Sequence, residues 1–67
     1  MDKVHATELK RLAIEAVNDL SRALRYAETN CSPQELERLK KGVGLSIGAI
    51  EMNLMTQLYE QFPELED

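Results

Sequence analysis

Tryptophan is absent from this 67-residue chain, and cysteine and histidine occur once each. A lone thiol closes no loop within its own chain, so a disulfide scaffold is excluded. Cys31 has no second histidine or cysteine with which to complete a nucleophilic pair. His5 and Glu8 stand three apart, but they lack the further carboxylates that a helical-bundle metal site uses. No catalytic, cofactor or metal-ligating residue is therefore assigned, and the chain is expected not to be an enzyme. Aromatics are confined to Tyr26, Tyr59 and Phe62, too widely spaced for a base-stacking platform. Long apolar runs are missing too. The stretch from Gly42 to Ile50 reaches about half the ~20 residues of a membrane span before Glu51 ends it. The opening Met1-Asp2-Lys3-Val4-His5 contains no apolar targeting core. A soluble, cytoplasmic protein with a reduced Cys31 and no membrane partner is the expectation.

Positive charge is missing from the last third. Residues 1–41 hold all eight bases and seven acids, whereas residues 42–67 hold five acids and no base. The formal net charge is −4, which argues against a phosphate backbone as the main partner. A hydrophobic content of 43% argues against disorder. The length allows one domain, residues 1–67, with an acidic tail at 63–67 expected to fray.

What the chain does have is helical periodicity. From residue 6 to about 30, Leu9, Leu12, Ala13, Ala16, Val17, Leu20, Ala23, Leu24 and Ala27 fall within an arc of roughly 140°. Ile14 and Tyr26 lie outside it. Next comes Ser32-Pro33-Gln34-Glu35, a capping box with proline at the first helical position. The Ser32 hydroxyl can accept from the Glu35 amide, the Glu35 carboxylate can reach back to the Ser32 amide, and Pro33 lacks only an N–H the helix would not use. A second helix is predicted over residues 33 to about 62, stopped by Pro63. Its apolar stripe is Leu36, Leu39, Val43, Ile47, Ile50, Leu54 and Leu58. Together with Leu9, Leu12, Ala16, Leu20 and Leu24 these form the expected intrachain core. Gly42-Val43-Gly44 leaves an alternative open, a break that would give a three-helix bundle.

The second helix carries a further apolar side: Gly44, Leu45, Gly48, Ala49, Met52, Met55 and Tyr59. A helix that is apolar nearly all round is buried on more than one side, and a two-helix hairpin has no enclosed interior. The expected fold is therefore an all-α antiparallel hairpin that pairs through this side into a homo-oligomeric four-helix bundle, dimer first and tetramer second. Antiparallel pairing about the turn would bring Lys10 or Arg11 near Glu51 and Lys3 near Glu60. Two other readings of function remain: a nucleic-acid regulator using Arg11, Arg22 and Arg25, or a subunit docking on another protein through the second helix.

Overall fold

The computed structural model describes residues 1–66 as an antiparallel helical hairpin, with no strand among them. Asp67, the last residue of the acidic tail, lies outside the described residues. The first helix, α1, spans Lys3–Asn30 and begins three residues before the apolar periodicity does. Asp2 is the reason: its carboxylate accepts the His5 N–H at 2.9 Å and caps the first turn. The chain reverses through Cys31 and Ser32. The capping box then forms in full, with Ser32 N–H donating to the Glu35 carboxylate at 2.8 Å and Glu35 N–H to the Ser32 hydroxyl at 3.2 Å.

The second arm is one continuous rod. It consists of α2 (Pro33–Ala49), a π-helical turn (Ile50–Met55) and α3 (Thr56–Gln61). Gly42 and Gly44 do not break it, and no glycine has a positive φ, so the three-helix alternative does not form. Pro63 ends the rod as expected. Within the segment expected to fray, residues 63–65 close a 3-10 turn with Leu65 half-buried.

The seam between the arms shows why the π turn is there. Along α1 the sheltered seam positions are Ala6, Lys10, Ala13, Val17, Leu20, Leu24 and Ala27, then Cys31 in the turn, with Ser21 half-buried beside Leu20. Their steps alternate four and three, the spacing of a coiled-coil seam. Along the second arm they are Leu36, Val43, Ile47, Ile50, Met55, Leu58, Phe62 and Leu65, with Gly48 and Tyr59 half-buried beside them. The step from Ile50 to Met55 is five. An uninterrupted α-helix would instead carry Leu54, Gln57, Gln61 and Glu64 into the seam. The wider turn absorbs the extra residue, and the Thr56 N–H and hydroxyl both donate to the Glu51 carbonyl five residues back. Polar side chains are thereby rotated out, and Leu58 is sealed at 1% exposure.

This phase shift moves several residues from their expected places. Met55, expected on the outer side, is buried. Tyr59, expected there too, carries the Lys10 ammonium 5.6 Å from its ring centroid and so faces α1. The same ammonium donates to the Leu65 carbonyl. Lys3 reaches Glu64, at 3.9 Å, rather than Glu60. Arg11 turns to Glu8 and Glu15 on its own helix, which leaves Glu51 exposed.

The hairpin is slim. Ala6, Ala13 and Ala27 on the seam let the helix axes approach closely, but each removes little apolar area from water. Leu58 and Met55 are the only large side chains in the buried core of the described residues. The molecule measures 45 × 18 × 16 Å with a radius of gyration of 14.6 Å, against about 11 Å for a compact chain of this length.

Candidate interaction surface

Because the seam has a coiled-coil spacing, the positions flanking it can be placed on one of the two broad faces of the hairpin, and the rest lie on the backs of the arms. One face takes Leu9, Leu12, Ala16, Asp19, Ala23 and Tyr26 from α1. From the second arm it takes Leu39, Gly42, Ser46, Ala49, Leu54 and Gln57. Glu35 and Glu64 stand at equivalent positions, so Asp19, Glu35 and Glu64 are its charges. The other face takes Thr7, Arg11, Ile14, Asn18, Ser21, Arg25 and Glu28 from α1, and Glu37, Lys41, Gly44, Gly48 and Glu51 from the second arm. Six of those twelve are charged. The sequence therefore builds a two-sided ribbon, apolar on one side and charged on the other.

Both faces are open to water: every residue named on the apolar one is exposed, and on the charged one Ser21 and Gly48 are half-buried. Leu9, Leu12, Leu39 and Leu54 were all expected in the intrachain core, yet they are 36% to 46% exposed. The physical reason is the narrowness of the seam: one partner helix shelters a stripe only two positions wide, whereas the apolar arc of α1 is nearly three times broader. Ala16 is exposed for the same reason, while Leu20, Leu24, Leu36, Val43, Ile47 and Ile50 are half-buried.

The expected oligomer interface is scattered by the structure. Gly44 and Gly48 fall on the charged face, Leu45 and Met52 on the back of α2 and the π turn, and Ala49 on the apolar face. Met55 and Tyr59 turn inward. A Cβ built on Gly42, Gly44 or Gly48 meets nothing within 4 Å, so no close approach within the hairpin requires these glycines. Leu45 and Met52, on the back of the arm, are 68% and 76% exposed.

The charged side chains are mostly engaged locally. Arg11 donates to both oxygens of Glu8, at 2.7 and 2.6 Å, and to Glu15 at 2.9 Å. This bidentate bond holds the Glu8 carboxyl below its ordinary pKa and raises that of Arg11. Arg22 pairs with Asp19. Of the three arginines considered for nucleic acid, two are thus already bound to acids, and the depression lined by Glu15, Asn18, Asp19, Arg22 and Arg25 is open and of mixed charge. Glu35 is likewise held below its ordinary pKa, by the backbone and then the hydroxyl of Ser32.

Cys31 is a free thiol, half-buried at the turn. Among the described residues no three histidine, cysteine or acidic side chains gather as a metal site would require. No described helix is long and apolar enough to cross a membrane. No family model, curated protein or solved structure matches this chain.

Proposed function

We propose that this chain is a non-enzymatic, self-associating helical protein whose hairpins pack apolar face to apolar face into a four-helix bundle. The observation that carries the reading is the sidedness of the ribbon. Four partly exposed leucines share the middle of one face with Asp19, its other acids Glu35 and Glu64 lying at the two ends, and depletion of charge is what marks the core of a protein interface. A face of this kind left in water invites aggregation.

The surface area supports a second copy as the occupant. The chain exposes 5104 Å². A compact monomer of 7.6 kDa exposes about 4,300 Å². The excess, on the order of 800 Å², is one partner's share of a standard stable interface. Two identical flat faces satisfy a two-fold axis directly, since each presents to its mate what its mate presents to it. The function is then presentation: the shared core holds two charged faces outward in fixed relation.

Light scattering after size exclusion tests this on three proteins. The wild type is expected at twice 7.6 kDa. Leu12→Glu is expected as a folded monomer, because Leu12 is 46% exposed in the hairpin itself. Gly48→Leu, on the charged face, is expected to remain a dimer. A well-folded wild-type monomer removes the proposal and points to a different protein as the occupant. A dimer broken by Gly48→Leu and not by Leu12→Glu moves the interface to the glycine side.

A further inference from the structure

We infer that the two hairpins of the dimer run antiparallel, each turn lying beside the open end of its mate. The inference rests on the self-association reading above and adds its orientation. Two two-fold arrangements bring the apolar faces together. If the axis runs along the helices, both turns lie at the same end. If it lies across them within the interface plane, the hairpins point in opposite directions. Both bury the same leucines, so apolar packing does not choose between them.

Charge does choose. The turn end, residues 22–41, holds five bases (Arg22, Arg25, Arg38, Lys40, Lys41) and three acids (Glu28, Glu35, Glu37). The open end, residues 1–12 with 55–66, holds three bases (Lys3, Lys10, Arg11) and five acids (Asp2, Glu8, Glu60, Glu64, Glu66). Arg11, Arg25, Glu28, Glu37 and Lys41 lie on the charged face, turned away from the mate; the remaining side chains sum to +2 at the turn end and −3 at the open end. The 45 Å length of the molecule exceeds several times the Debye length of ~8 Å at physiological salt. Each end therefore interacts with whatever charge lies beside it and not with its own far end. Parallel hairpins place +2 beside +2 and −3 beside −3, and antiparallel hairpins place opposite charges together at both ends. Arrangements of this kind fix orientation more than they add affinity.

The single cysteine makes the orientation measurable on the intact chain. A nitroxide on native Cys31 reports the distance between the two turns by pulsed electron resonance. Antiparallel hairpins separate the labels by most of the 45 Å long axis, and mild copper oxidation then yields no Cys31–Cys31 disulfide. Should the label disturb the half-buried thiol, exposed Thr29→Cys in a Cys31→Ser chain reports the same end. Salt gives an independent sign: raising it several-fold weakens an antiparallel dimer and tightens a parallel one. A light-scattering dimer with a short label distance, or a ready Cys31–Cys31 disulfide, overturns the orientation and leaves self-association standing. A monomer with no intermolecular signal overturns both.

Discussion

Deleting Asn53 should leave this protein folded, whereas deleting Ser46 should cripple it. The contrast follows from the five-residue step between Ile50 and Met55. Removing Asn53 takes out the one extra residue, so the π turn can relax to an α turn while Met55, Leu58, Phe62 and Leu65 keep their seam positions. The change replaces i→i+5 hydrogen bonds by better-formed i→i+4 bonds. Stability should stay within about 1 kcal/mol of the parent, with a gain more natural than a loss. Removing Ser46 also shortens the rod by one residue, but upstream of the turn. Even if the π turn straightens to restore the far end, Ile47 and Ile50 rotate by about 100° out of the seam. Both are half-buried. Withdrawing two such side chains costs about 2–3 kcal/mol at ~25 cal/mol per Å². If the π turn persists instead, Leu58 and Met55 leave the seam as well, which removes the only large side chains of the buried core and a large part of a typical 5–15 kcal/mol stability. Urea unfolding followed by circular dichroism at 222 nm, at one fixed chain concentration because the unfolding is coupled to assembly, measures both. If the Asn53 deletion costs as much as the Ser46 deletion, the π turn does not compensate for an extra residue and the seam register is wrong.

Gly44→Ala should raise stability by about 0.5–1 kcal/mol, since the position is helical, has no positive φ and offers open space for a Cβ; a thermal melt checks it, and a lower melting temperature would mean the glycine is needed for contact. Ser32→Ala should cost about 1 kcal/mol through loss of the cap, read as a lower urea midpoint with an unchanged slope. The lowered Glu35 pKa carries a definite pH sign. Its contribution is fully present above the ordinary value of 4.5 and is lost as pH falls through the depressed folded value. Glu35→Gln should therefore narrow the stability gap between neutral and acid pH, and an unchanged gap would count against the capping bond as its source. Lys10→Ala should free the tail that its ammonium holds at the Leu65 carbonyl and the Tyr59 ring. The observable is faster amide exchange at Leu65 and Glu66, whose N–H groups close the last turn.

The parts of the fold legible in the sequence are those set by local chemistry. Ser32-Pro33-Gln34-Glu35 announced its helix start because a capping box uses only residues within one turn. The Asp2 cap is equally local, but no apolar periodicity follows it until residue 6, so periodicity alone places the start of α1 three residues late. The π turn left no such trace. Leu54 and Met55 are neighbours and both apolar, and a stripe drawn through either looks continuous. The residues that discriminate are Gln57, Gln61 and Glu64, which an α-helix would bury; reading them as excluded from the seam would have located the extra residue. The breadth of the interior was overestimated for a different reason. Periodicity reports how wide an apolar face is, not how much of it a single partner helix covers. Leu9, Leu12, Leu39 and Leu54 were accordingly assigned inside when the hairpin leaves them outside.

The alanines at 6, 13 and 27 have a mechanical consequence. Where the seam is lined with methyl groups it has no deep knobs and holes, so at those three levels one arm meets little resistance to sliding past the other. Two fixtures at opposite ends remove that freedom. The Cys31–Ser32 turn with its capping box is the hinge pin. The plug of Leu58 and Met55, with Lys10 clasping Tyr59 and the tail, is the catch. A change at either fixture lets the arms creep out of step, while a change at one of the seam alanines between them leaves both fixtures in place.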